Sequence, residues 1–186
     1  MPNPQPPACL LIFSGLPGVG KSTLAQAVAR ATPAIYLRID TIEQALRVLC
    51  GLDVQGEGYR LAYRIAADNL RLGLSVIADS CNPIALTRRE WESVADDAGA
   101  AAVNIEVICS DAGEHRDRIE SRRSEVPGLV LPTWQDVQRR EYHAWNTERL
   151  IIDTAGRSVR ESEVELVGKL RSRDISKNRF PDGRIH

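Results

Sequence analysis

One stretch limits what this chain can fold into more than any other: Gly15-Leu16-Pro17-Gly18-Val19-Gly20-Lys21-Ser22, followed by Thr23, satisfies G-x-x-x-x-G-K-[ST]. Before it lies Cys9 to Ser14, a short apolar run of the kind that forms a strand buried on both faces. After it come Leu24, Ala27, Val28 and Ala31 at helical spacing. In that context each residue type has a task. Glycine admits backbone conformations closed to other residues, so successive amides turn inward toward phosphate oxygens, and the positive end of the following helix adds to the field. Lys21 reaches the β and γ phosphates as a point charge, and the Ser22 hydroxyl is placed for magnesium. Glycines at 15, 18 and 20 do not give the G-x-G-x-x-G of a dinucleotide site.

Beyond the loop, apolar and helical patterns alternate. Ala34 to Ile39 reads as a second strand ending at Asp40, with Thr41 as N-cap of a helix through Leu49. Gly51 to Gly58 interrupts; then Tyr59 to Leu72 is helical, Leu74 to Ala78 is a third strand ending at Asp79, Pro83 to Asp97 is helical, and Val103 to Cys109 is a fourth strand. Asp111 to Glu125 reads as a charged, exposed helix which, with the Pro- and Gly-bearing loop after it, makes a lid over residues 111–132. Thr133 caps a helix to about Trp145, Leu150 to Ile152 is the fifth strand, and Arg160 to Leu170 the closing helix. Apolar strands alternating with helices predict an α/β fold, a parallel sheet covered on both faces. One domain is expected over residues 9–171, between a disordered proline-rich leader, residues 1–8, and a mobile polar tail, residues 172–186.

Composition narrows the partners. A chain of 186 residues with 43% hydrophobic content holds one core. A net charge of -1 supplies no global field for nucleic acid or an anionic membrane, so neither is expected as a partner. No apolar run approaches the ~20 residues needed to cross a bilayer, and the leader lacks the basic and apolar regions of a signal peptide. The cysteines Cys9, Cys50, Cys81 and Cys109 form no CxxC pair and read as small buried hydrophobes in a reducing cytoplasm.

In a parallel α/β sheet, ligands bind beyond the carboxyl ends of the strands, where Asp40 and Asp79 both fall. Asp79 takes the position from which a carboxylate holds magnesium, directly or through water; a loop-capping aspartate is the plainer account. Asp40 suits a general base that orients and deprotonates an acceptor hydroxyl, with a helix cap as its plainer account. Asn82 either bonds an acceptor or a metal-bound water, or simply belongs to an Asn-Pro turn. Arg118 and Arg122, four apart, share a helix face and would close over a transferring phosphoryl group, unless Glu114 and Arg118 merely stitch a solvated helix. Arg116 and Arg123 fall on other faces.

Taken together, GLPGVGKST (Gly15 to Thr23), YLRID (Tyr36 to Asp40), VIADSCNP (Val76 to Pro83) and RIESRR (Arg118 to Arg123) resemble the small P-loop kinases of the zeta toxin, chloramphenicol phosphotransferase and polynucleotide kinase group, AAA-type ATP-binding kinase-like proteins. The likeness spans Cys9 to Ile152. It implies five parallel strands in the order 2-3-1-4-5 with a helical lid, ATP with Mg²⁺, and phosphorylation of a hydroxyl. Position by position it puts the phosphate-binding lysine on Lys21, the magnesium-ligating hydroxyl on Ser22, the base on Asp40 and the lid arginines on Arg118 and Arg122. It also implies an adenine surface around Asp153 to Arg157. Tyr59, Tyr63, Arg88, Arg89 and Trp91 either line the acceptor pocket or belong to the core. A kinase for a small-molecule hydroxyl acceptor is the leading expectation; a polynucleotide 5′-hydroxyl kinase, or a non-kinase ATPase or nucleotide-dependent switch, are the alternatives.

Overall fold

The computed structural model describes residues 8–173; the leader through residue 7 and the tail from residue 174 lie outside the described residues. β1 (Cys9–Ser14) leads into α1 (Lys21–Ala31), followed by β2 (Ile35–Arg38), α2 (Ile39–Cys50), α3 (Glu57–Arg71), β3 (Val76–Asp79) and α4 (Ala85–Asp97). Then come β4 (Ala101–Ile108), α5 (Ala112–Ser121), α6 (Trp134–Arg139), β5 (Leu150–Asp153) and α7 (Val159–Ser172). Every strand pair is parallel and the order is β2-β3-β1-β4-β5, as the resemblance implied.

β1 shows why the strands are apolar throughout. Cys9, Leu11 and Phe13 pack with Leu24 and Val28 of α1 and Leu166 and Leu170 of α7. Leu10 and Ile12 turn the other way, to Ala62, Ala66 and Leu70 of α3 and Trp91 and Ala95 of α4. Burying a side chain such as Phe13, Leu10 or Ile12 completely stabilises the fold by roughly 1.5–3 kcal/mol. The same alternation aims the chemistry: Ile77 of β3 faces α1, so Asp79, two residues on, faces α1 as well and meets Lys21.

Several boundaries differ from expectation. α2 begins at Ile39 with Arg38 at its N-cap position, so Asp40 lies inside the first turn and Thr41 is not the cap. α5 is not simply an exposed helix. Asp111 caps it by accepting the Glu114 amide at 2.9 Å, and its inner face buries His115 and Ile119 against the glycine loop. α7 runs to Ser172, into the segment expected to be tail, and Ala8, expected in the leader, is buried and accepts the Ala101 amide. Of the four cysteines only Cys9 is buried; Cys50 is exposed and the other two are half-buried, so packing does not account for them.

α6 stops at Arg139, well short of Trp145, because the following chain is held by long-range contacts. Arg88 of α4, buried beneath it, donates to the carbonyls of Asn82, Pro83 and Ala144 at 2.9, 3.2 and 3.4 Å. Its guanidinium stacks 4.0 Å from the centre of the Trp145 ring and 4.9 Å from that of Tyr142. Buried Glu106 accepts from the Tyr142 hydroxyl at 3.1 Å and pairs with Arg149 at 2.5 Å. These bonds replace the helical ones that a longer α6 would make. Among the described residues, no helix is long and apolar enough to cross a membrane.

Candidate active site

The glycine loop owes its shape to contacts on both sides. Gly15, at φ +144, donates its amide to the Cys81 carbonyl at 3.1 Å, tying the start of the loop to the chain leaving β3; a Cβ there would lie 2.3 Å from the Val107 carbonyl oxygen. Gly18, at φ +85, passes under α5, where a Cβ would meet Ile119 at 2.5 Å. His115 holds the same helix down: its Nε2 donates to the Pro17 carbonyl at 2.8 Å and its ring packs edge-on to Trp134. A cleft of about 990 Å³ opens above, lined by Gly15 to Gly18 and Gly20 to Thr23. Val19 does not line it; its side chain is buried in the core and its carbonyl accepts the Thr154 hydroxyl at 3.0 Å.

Beneath the cleft sits one carboxylate with a ring of donors. Asp79 is 2% exposed; Lys21 Nζ donates to its Oδ1 at 3.1 Å and the Tyr36 hydroxyl to its Oδ2 at 2.7 Å, with Arg38 Nε 4.0 Å away. Burial works against ionisation, but the charge of Lys21 and the bonds from Tyr36 and Ser22 prevail and hold the carboxyl below its usual range. Burial likewise works against the Lys21 ammonium, and Asp79 again prevails, so its pKa is raised. The Tyr36 hydroxyl is driven up by burial and by Asp79. Arg38 stands opposite Asp79 in the β2–β3 register, and Tyr36 shares its face.

The lid closes the cleft from above. Arg118 donates to the Thr154 hydroxyl at 2.7 Å, to the Thr154 carbonyl at 2.9 Å and to Glu114 at 2.5 Å, which brings it over Gly20. Arg122 does not share a helix face with it. Arg122 has left α5, with extended backbone at the C-cap, yet it lines the cleft too, as does Arg123; Arg116 instead pairs with Glu120. Burial pulls Arg122 below the usual guanidinium range, and Arg38 and Arg140 add to this while Asp40 opposes it. Glu125 reaches across from the lid to Arg38 at 2.8 Å and Gln26 at 3.2 Å.

Asp40 is exposed, on the first turn of α2, and lines the same cleft as the loop, Arg118 and Arg122. Of the expected adenine surface, Thr154 and Arg157 line it. Asn82 does not: it is fully buried at φ +45 and its side-chain amide ties together the Phe13 carbonyl and the Ser14 hydroxyl, a structural role. None of Tyr59, Tyr63, Arg88, Arg89 and Trp91 lines the cleft either. Trp91 is wholly buried and meets Tyr63 edge-on at 4.5 Å, Arg88 is buried and Tyr59 and Tyr63 are half-buried, so these four pack with the core, whereas Arg89 is exposed outside the cleft. Sequence reasoning missed Tyr36, Arg38 and Arg140. The first two carried a signal, since alternation along β2 puts them on one face, but no local pattern marks Arg140.

These residues fit a nucleotide and its metal. Gly18 and Gly20 in left-handed backbone, the α1 N-terminus and Lys21 make an anion cradle of the required curvature. Ser22 lines the cleft and bonds to Asp79, placing a hydroxyl and a carboxylate side by side for Mg²⁺. Among the described residues no cluster of three or more His, Cys, Asp or Glu can hold a metal alone, so Mg²⁺ would share its ligands with phosphate and water.

Residues 10–140 match the family described as an AAA domain, AAA_33. No curated protein matches significantly. Among solved structures the chain is similar to a candidate kinase from Chloroflexus aurantiacus j-10-fl, at 21% identity over 90% of this chain and 98% of that one, with a TM-score of 0.66. It is also similar to the APS kinase of Mycobacterium tuberculosis in complex with AMPPNP and APS, at 21% identity, 90% and 99% coverage and a TM-score of 0.64. A gluconokinase from Sinorhizobium meliloti 1021 aligns at 14% identity, 90% and 93% coverage and a TM-score of 0.62. Identities this low carry the fold alone. They do not carry the narrower grouping with zeta toxins, chloramphenicol phosphotransferase and polynucleotide kinase.

Proposed function

The chain belongs to the AAA domain family AAA_33, and on that footing we propose that it is an ATP-dependent kinase that moves the γ-phosphoryl group onto a hydroxyl of a small-molecule acceptor. One observation carries this reading: Asp40 opens, solvent-exposed, into the cleft that also holds the phosphate cradle and the arginines of the lid. Simple hydrolysis has no need of a carboxylate there, whereas transfer to an alcohol needs a group to orient and deprotonate it.

Bound ATP with Mg²⁺ supplies the phosphoryl donor and neutralises charge on its β and γ oxygens. The protein's own residues do the rest. Loop amides from Gly18 to Ser22 grip the phosphates, and Lys21 exchanges Asp79 for phosphate oxygens, leaving that carboxylate and Ser22 free to position the metal. Arg118 and Arg122 meet the charge that spreads over the transferring group, and the lid that carries them excludes water. Asp40 accepts the hydroxyl proton as the acceptor oxygen forms its bond to phosphorus and ADP departs.

The test is ATP turnover with and without a panel of sugars, nucleosides, antibiotics and hydroxy acids, with labelled 5′-hydroxyl oligonucleotides as a further arm. At least one small acceptor is expected to raise turnover. Asp40→Asn should lower that transfer by about 10²–10⁴-fold while AMPPNP affinity stays within about twofold. Transfer at the wild-type rate in Asp40→Asn removes Asp40 as the base; turnover indifferent to every acceptor would favour an ATPase or switch.

A further inference from the structure

We propose that Arg38, Arg122 and Arg140 form an anion-binding subsite beside Asp40, so that the acceptor carries an acidic group close to its reacting hydroxyl. This rests on the kinase reading and narrows its substrate class. All three arginines line the cleft together with Asp40, although they come from the end of β2, the exit of α5 and the exit of α6.

Most of the other cations of the cleft are already matched. Lys21 has Asp79, Arg47 has Glu43 at 3.3 Å, and Arg118 has Glu114 and Thr154. Of the three proposed here, Arg122 and Arg140 have no carboxylate partner among the described residues, and Arg38 keeps a spare donor beside its pair with Glu125. Among the described residues, the buried Nε atoms of Arg38 and Arg122 make no hydrogen bond, and Arg140 has only a long contact of 3.7 Å to the Cys81 sulfur. Buried donors without acceptors are uncommon in folded proteins. Burial and the mutual repulsion of these guanidiniums disfavour the Arg122 charge, and the Asp40 carboxylate only partly offsets them. A second anion between them would satisfy the donors and relieve the repulsion.

A second observation shows what chemistry the subsite takes. Arg38 already carries a carboxylate of the chain itself, Glu125, which reaches in from the lid at 2.8 Å while its own side chain stays 65% exposed. An exposed lid residue is easily displaced, so Glu125 stands where an acidic group of the acceptor would sit, and it competes with that group. Carboxylate, phosphate and sulfate share the acceptor oxygens that a guanidinium fork recognises.

Inorganic phosphate, sulfate and acetate, titrated calorimetrically in turn into the full chain saturated with Mg·AMPPNP, test this with the phosphate cradle already filled. One of them should bind saturably at one site, and whether the tetrahedral ions or acetate bind tighter tells which acidic group the acceptor bears. Arg38→Gln and Arg140→Gln should each weaken that binding about tenfold or more. Glu125→Gln should tighten it, since the competing carboxylate is gone; a purely structural Arg38–Glu125 pair predicts no such gain. Arg140 is exposed, so Arg140→Gln decides the matter should circular dichroism show Arg38→Gln misfolded. No saturable anion binding, wild-type binding in both Gln variants, or unchanged affinity in Glu125→Gln each overturns the subsite. Failure of AMPPNP itself to bind, seen in the preceding titration, would instead sink the kinase reading.

Discussion

Asp79→Asn removes the counter-charge of Lys21 while preserving the shape of the side chain. The pair is close and dry: 3.1 Å apart, with side chains 11% and 1% exposed for Lys21 and Asp79. Removing one partner of a buried pair costs about 3–5 kcal/mol, while replacing both with neutral groups is often close to neutral. Water reaches Lys21 through the cleft, so the low end, about 3 kcal/mol, is expected. For a domain of this size that lowers Tm by about 6–12 °C. Adding Lys21→Met should restore most of the loss, to within about 1 kcal/mol of the parent chain. The pH dependence has a definite sign. The Asp79 carboxyl is held below its usual range, so it contributes stability above the unfolded value of about 3.9 and loses it as pH falls through the folded value. The gap between parent and Asp79→Asn should therefore close on acidification. Urea unfolding at neutral and acid pH, followed by tryptophan fluorescence, measures all of this. A loss below about 0.5 kcal/mol at pH 7, or a double variant no more stable than the single one, would refute the reasoning.

Other substitutions probe the surroundings of that pair. Gly15→Ala, which puts a Cβ 2.3 Å from the Val107 carbonyl at φ +144, should cost about 2 kcal/mol or more and abolish AMPPNP binding; ordinary nucleotide affinity would show the loop to be more pliant than its contacts imply. Thr154→Val removes the hydroxyl that Arg118 and the Val19 carbonyl share. It should cost about 1–2 kcal/mol and speed tryptic cleavage at Arg122 and Arg123, an effect absent if Thr154 does not hold the lid. Trp91→Ala should destabilise by about 3–5 kcal/mol in urea yet leave AMPPNP affinity and turnover per folded molecule unchanged; a selective rise in acceptor KM would return Trp91 to the acceptor pocket.

The parts of this protein that are legible in its sequence are those whose chemistry is local. Strands such as β1, buried on both faces, must be apolar residue by residue, and the phosphate cradle must place glycines and Lys21 at set intervals, so both announce themselves. Arg122 and the end of α6 do not, because what decides them is distant. Spacing alone puts Arg118 and Arg122 on one helix face, but α5 ends at Ser121. Helical pattern carries α6 to Trp145, but Arg88, far earlier in the chain, takes the Ala144 carbonyl and the Trp145 ring. Asp40 is legible as a residue, but local pattern puts the helix cap at Thr41, since nothing local shows that α2 starts at Ile39. The same division separates two levels of function. Gripping a polyphosphate is the work of one continuous segment, whereas the acceptor choice proposed above rests on Arg38, Arg122 and Arg140, which only the sheet order and two chain exits bring to one cleft. A motif can therefore name the donor, while the acceptor has to be read from three arginines that no single stretch of sequence holds.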